Sequence, residues 1–110
     1  KEAGYRIHIE TSGAYPLIGH FDWITFSPKK FKAPLKEVAR IANELKVVVF
    51  NKSDIQWAEE HQKLVSLDCK LFLQPEWDKR EITEKIVFEY TLSKPNWFVS
   101  LQTHKYLGVD

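Results

Sequence analysis

One cysteine, Cys69, is the only thiol in this 110-residue sequence. It excludes an internal disulfide. Alone on a short link between a helix and a strand, it supplies neither a structural zinc site nor an iron–sulfur cluster, and reads as a half-buried small residue. A single thiol fits a reducing, cytoplasmic setting. Glycine is scarce at four residues, and Gly13 and Gly19 match neither the GxGxxG nor the Walker spacing, so no glycine-rich phosphate loop is present. No apolar run approaches the roughly 20 residues of a membrane span, and no signal-peptide pattern opens the chain. Charge of one sign is also lacking. Sixteen Lys and Arg against fifteen Asp and Glu leave a net charge of +1, without the basic excess of a nucleic-acid binder driven by phosphate contacts. The four histidines show no metal-ligand spacing, and the chain has no repeat, low-complexity segment or internal linker.

What remains is an ordinary globular composition, 44% hydrophobic and 28% charged, and residues 1–110 read as a single domain with a modest core. Lys1-Glu2-Ala3-Gly4 reads as the last turn of a helix closed by glycine, which suggests the C-terminal piece of something longer. Tyr5 to Thr11 alternates as a strand and stops at the turn-rich Glu10-Thr11-Ser12-Gly13. Phe21 to Ser27 is a second strand closed by Pro28. The gap of about ten residues between them is short for a crossover carrying a full helix, so a compact loop is expected there. Pro34 opens a helix with Leu35, Val38, Ala39, Ile41 and Ala42 inward. Leu45 to Phe50 reads as a strand covered on both faces. Asn51-Lys52-Ser53-Asp54 supplies caps for a helix carrying Ile55, Trp57, Ala58, His61, Leu64 and Val65. Leu71-Phe72-Leu73 is the fourth strand, and Asp78 with Glu81 resembles a capping box for a long helix whose inner stripe is Ile82, Ile86, Val87 and Tyr90. In the closing strand Trp97, Val99, Leu101 and Thr103 share one face, and Phe98, Ser100, Gln102 and His104 the other.

Helix and strand alternate three times after the first two strands, which argues for a parallel α/β sheet. All five expected strands end in polar groups: Glu10/Thr11/Ser12, Ser27/Lys29, Asn51/Lys52, Gln74/Glu76 and Gln102/His104. Turns are polar in general, but ligands in α/β proteins sit outside the carboxyl ends of parallel strands, and five such ends on one edge favour a ligand face. Lys29 is either a partner for a carboxylate or phosphate at that edge or a solvated lysine beside Lys30 and Lys32. His8 is expected near the sheet interior and His61 on a helix surface, neither as a ligand, while His20 is open to either reading. The tryptophans read as packing aromatics. These residues define a polar ligand edge and no reaction.

Glu10-Thr11-Ser12-Gly13, Ser27-Pro28-Lys29, Leu73-Gln74-Pro75 and Gln102-Thr103-His104-Lys105 occur in this order and with these gaps. Each is short, but together they resemble the C-terminal half of the 7-carboxy-7-deazaguanine synthase family, radical S-adenosylmethionine enzymes of queuosine and 7-deazapurine biosynthesis. The resemblance covers essentially the whole chain. It implies a partial parallel β/α barrel, with a CxxxCxxC-type motif and a 4Fe–4S cluster in the missing half. It further implies a lyase-type reaction in which reductive cleavage of S-adenosylmethionine yields a deoxyadenosyl radical. This takes a hydrogen from 6-carboxy-5,6,7,8-tetrahydropterin, whose ring contracts, with Mg2+ engaging the substrate. Carried over by position, Ser12 and Lys29 would help hold the amino-acid part of S-adenosylmethionine. Ser27 and Gln74 would lie beside that cofactor, Gln74 near its nucleoside. Thr11, Gln102 and His104 would contact the pterin, and the terminal carboxylate on Asp110 would approach it. With one cysteine outside any triad motif, the chain departs from the family's cluster site and is expected to be inactive by itself.

Two other readings stay open. One is a stand-alone α/β module that binds a small metabolite without catalysis; the other is an interaction domain using its open sheet edge. An isolated half-barrel exposes unpaired strand groups, so self-association is expected, and the full-length form is expected to be a homodimer with no nucleic-acid or membrane partner.

Overall fold

The structure is a computed structural model that describes residues 6–102. The expected helix stub at Lys1–Gly4, Tyr5, and the tail containing Thr103, His104 and Asp110 lie outside the described residues. Five strands form one sheet in the order β1-β2-β3-β4-β5. They are β1 (His8–Thr11), β2 (Trp23–Phe26), β3 (Glu44–Val49), β4 (Lys70–Pro75) and β5 (Trp97–Val99), with helices α1 (Lys36–Ile41), α2 (Ser53–Gln62) and α3 (Arg80–Ser93) between them. Every neighbouring pair is parallel. Parallel strands laid down in strict chain order, with right-handed crossovers, put each helix on the same side of the sheet. The parallel sheet is as expected from the alternation of elements, and its progression is that of a β/α barrel carried part of the way round, as the family resemblance implies.

The first two strands are joined without a helix, as their short spacing requires. Asp22 closes that loop: its carboxylate accepts the Ile7 amide at 2.7 Å while its own amide donates to the Ile7 carbonyl at 2.8 Å. Asn43 does the same work at the next junction. Its side-chain oxygen accepts from the Ile24 amide at 2.7 Å, and its carbonyl accepts from Lys70 at 2.9 Å, so one residue sets β2, β3 and β4 in register.

The core lies between the sheet and the helices. Ile24 and Phe26, then Leu45, Val47 and Val49, then Leu71 and Leu73, then Trp97 pack on Ala39, Ala58 and Val87. Each fully buried aliphatic or aromatic side chain contributes roughly 1.5–3 kcal/mol, so this face carries the fold. The alternate residues point to the opposite, helix-free face. They include His8 and Glu10, Trp23 and Thr25, Glu44, Lys46 and Val48, Lys70, Phe72 and Gln74, and Phe98.

Several expectations change here. Leu45 to Phe50 is fully buried on one face only, because the strand begins at Glu44 and places Lys46 on the open side. His8 is exposed rather than interior, since β1 is an edge strand and the histidine faces away from the helices. His61 is buried rather than on the surface. It lies one turn beyond buried Ala58 and so shares its face, with Nδ1 at 2.8 Å from the Trp57 carbonyl and its ring against Trp57 and Phe26. Cys69 is more buried than expected, at 8% exposure.

Ile82 is 63% exposed. The inner stripe of α3 runs instead through Thr83, Ile86, Val87 and Tyr90, the i, i+3, i+4, i+7 set of one helix face. The Asp78–Glu81 capping box does not form. Glu76, immediately after β4, accepts the free amides of Asp78 at 2.9 Å and Lys79 at 3.1 Å. The Thr83 hydroxyl ties the first turn back to the Glu76 carbonyl at 2.9 Å. The caps expected before α2 also act differently: no side chain caps that helix at its N-cap position. Asp54 reaches back instead, to the amides of Phe50 and Asn51 at 2.7 and 3.2 Å.

Candidate functional site

Because all strands are parallel, their carboxyl ends share one edge, and the polar strand ends fall together. The Ser27 amide donates to the Thr11 carbonyl at 2.8 Å, Glu76 to Val49 at 3.0 Å, and Ser100 to Leu73 at 2.9 Å. The ladders therefore continue past the strands into the candidate residues. Extending the register of β1 and β2 by one position sets Ser12 beside Ser27, both on the open face. Val48 pairs with Gln74 one layer nearer the edge.

The turn after β1 is built for close approach. The Thr11 hydroxyl accepts from the Gly13 amide at 3.0 Å, and the Ser12 hydroxyl from Ala14 at 3.4 Å. Gly13 takes φ +80°, and a Cβ there would stand 2.7 Å from the Phe26 ring. Only glycine brings the Thr11–Ser12 corner this close to the core. Ser27 is buried at 2% exposure and Gln74 at 9%. Lys29 is exposed, and among the described residues its ammonium meets no carboxylate. Gln102 is half-buried, and its side-chain oxygen is buried with no donor among the described residues. A buried acceptor of this kind is ordinarily satisfied, and a ligand N–H would satisfy it.

The open face also carries groups that strand-end reasoning passed over. The Thr25 hydroxyl donates to Glu44 Oε1 at 2.6 Å and lies 3.1 Å from His8 Nε2. Since the one hydroxyl proton is committed to the carboxylate, the histidine is the donor in that second contact. Lys46 Nζ donates to Glu10 Oε1 at 3.0 Å, and the Phe72 and Phe98 rings meet at a tilt of 41° with centroids 5.9 Å apart. The signal available in the sequence was Lys46 itself, a charge inside an apolar run, whose period-two partners Glu44 and Val48 mark the face.

Among the described residues no three His, Cys, Asp or Glu side chains converge as metal ligands. Cys69 is buried on the link between α2 and β4, and burial, with the Glu44 charge as a lesser cause, pushes its thiol up to about 11. A 4Fe–4S cluster takes three or four thiolates, so the described residues do not fit that group.

The fold and edge define a class: a partial parallel β/α barrel with polar strand ends along one edge and a charged open face. No protein-family model matches the chain. Individual relatives do. It is 51% identical over 109 residues to 7-carboxy-7-deazaguanine synthase of Synechocystis sp., a match covering 99% of this chain and 52% of that protein. It is 49% identical over 109 residues to the synthase of Flavobacterium psychrophilum, with the same coverage. The crystal structure of QueE from Escherichia coli superposes with a TM-score of 0.77 at 27% identity, covering 90% of this chain and 46% of that one. The chain is thus a relative of the 7-carboxy-7-deazaguanine synthases, and it spans about half the length of the curated relatives it matches.

Proposed function

We propose that this chain is the C-terminal half of a 7-carboxy-7-deazaguanine synthase, a cytoplasmic, homodimeric radical S-adenosylmethionine lyase of queuosine biosynthesis. Its reaction converts 6-carboxy-5,6,7,8-tetrahydropterin to 7-carboxy-7-deazaguanine. The observation that carries this reading is identity of 51% maintained across 99% of the chain to a protein of that name. The absence of any transmembrane-length apolar helix among the described residues is compatible with it.

In this reading the chain supplies the walls of the site and not its metal. Lys29 meets the carboxylate of S-adenosylmethionine, which suits an exposed ammonium without a carboxylate partner among the described residues. The Ser12 and Ser27 hydroxyls and the Gln74 amide line the same edge and offer both donors and acceptors to the rest of that molecule. Thr11, Gln102 and His104 address the pterin, and the unsatisfied Gln102 oxygen is the natural acceptor for one of its ring N–H groups. The Asp110 carboxylate approaches the same substrate. The 4Fe–4S cluster and Mg2+ belong to the half of the enzyme that this chain does not span. When bound, the cluster supplies the electron for S-adenosylmethionine cleavage.

The test is anaerobic purification of the full-length protein that contains this segment, with iron content and product measured together. About four irons per chain and formation of the 7-deazaguanine acid are expected. A full-length product that binds no iron and does not consume the pterin overturns the proposal.

A further inference from the structure

The turn that carries Lys29 has an anchor of its own. Along residues 25–30 the period of two continues past β2: Thr25, Ser27 and Lys29 fall on the open face, and Phe26, Pro28 and Lys30 on the helix face. Phe26 and Pro28 are buried accordingly. Residues Lys29 and Lys32 form an antiparallel bridge, with the Lys32 amide donating to the Lys29 carbonyl at 3.2 Å. The tip of this turn does not hold it down, since Phe31 is 100% exposed.

Lys30 does. Its ammonium pairs with Asp54 Oδ1, and it lies 5.5 Å from the centre of the Trp57 ring. Asp54 is fully buried in the first turn of α2, and its other oxygen is fixed by the Phe50 and Asn51 amides. A buried carboxylate without a cation is costly, so it holds Lys30 firmly. The same pair satisfies Asp54 with Lys30, which leaves Lys29 as the ammonium offered to the open face.

We propose that Asp54 and Lys30 are positioning residues: through their ion pair, the first turn of α2 fixes the turn after β2 and aims Lys29 at the carboxylate of the bound cofactor. This rests on the S-adenosylmethionine reading above. It adds a device whose members touch no ligand and lie on the helix side of the sheet.

The test measures dissociation constants of the full-length holoenzyme for two ligands, S-adenosylmethionine and 5′-methylthioadenosine, which lacks the amino-acid part. Lys30→Met should weaken S-adenosylmethionine binding about tenfold, part of the value of a charge-assisted hydrogen bond, and leave methylthioadenosine binding unchanged. Lys30→Arg, which still reaches Asp54, should restore it. Asp54→Asn, which keeps an acceptor for the two amides, should reproduce the Lys30→Met pattern. Equal weakening toward both ligands would mark a merely structural role and overturn the proposal, as would no change with either. If the unmodified holoenzyme binds neither ligand, the underlying cofactor reading fails first.

Discussion

Replacing Gly13 with alanine separates two costs that usually arrive together. The residue sits at φ +80°, where a β-carbon costs about 1–2 kcal/mol through local sterics. Here the added atom also meets the Phe26 ring at 2.7 and 3.1 Å and Pro34 Cβ at 3.3 Å. Phe26 is fully buried and must shift to make room, so overpacking adds about 1–3 kcal/mol. The sum, about 2–5 kcal/mol, is a large share of the 5–15 kcal/mol typical of a domain. Gly19 is the internal control. It has φ +102°, yet nothing lies within 4 Å of its would-be Cβ, so Gly19→Ala should show the backbone cost alone. Equilibrium urea unfolding of both variants, with m-values compared, measures the difference. Gly13→Ala should be the less stable by about 1–3 kcal/mol. Equal losses would refute the idea that contact with Phe26, and not backbone conformation, makes glycine necessary at the Thr11–Ser12 corner.

Cys69 should resist alkylation at pH 8 in the native state and react quickly once unfolded, because burial and then the Glu44 charge push its thiol up to about 11. The same shift carries a stability sign. The folded state holds the proton more tightly than the unfolded chain, so the contribution is fully present below the ordinary thiol pKa of 9.0. It is lost as pH rises toward 11, by about 2 kcal/mol. The unfolding midpoint should therefore be lower at pH 10.5 than at pH 8, and a flat profile would count against the buried thiol. Tyr90, raised by burial first and then by its 2.5 Å hydrogen bond to Glu59, acts in the same direction. Tyr90→Phe should cost about 1–2 kcal/mol at neutral pH, measurable by the same unfolding series. The isolated 110-residue chain should self-associate through its open face, where Phe98 is 54% exposed. Phe98→Ser should shift sedimentation toward monomer, and unchanged association would place the contact elsewhere.

Much of this fold is legible because the strands obey period two. The face assignment of Trp97, Phe98 and Val99 follows from alternation alone, and the missing helix between β1 and β2 follows from loop length. The errors share a cause. His8, His61 and Ile82 were each assigned by residue type or local spacing, whereas their burial depends on which element lies alongside. That β1 is an edge strand, that α2 turns the Ala58–His61 face to the core, and that Thr83 out-competes Ile82 for the inner stripe are tertiary facts. The failed capping box is of the same kind. Asp78 has the right spacing to Glu81, but Glu76 lies nearer the free amides once the chain has turned out of β4.

The candidate site divides along the same line. Ser12, Ser27, Lys29, Gln74 and Gln102 were visible as strand ends because parallel topology sends every strand end to one edge, so a one-dimensional signal became a two-dimensional one. The interior of the open face is not visible in this way, since His8, Thr25, Glu44 and Lys46 come from three strands and acquire meaning only in register. Their hydrogen bonds also bear on the proposed ligand role of this face. A sheet surface meant for water leaves its carboxylates and ammonium groups solvated, and one meant for a core excludes them. Here Thr25 is 2% exposed while donating to Glu44, and Lys46, with its side chain 22% exposed, is paired with Glu10. Burying such groups costs stability unless each is satisfied. Their placement opposite a largely apolar, helix-covered face fits a surface whose polar groups are held in order for the proposed ligand, while the core on the other side holds the strands in register.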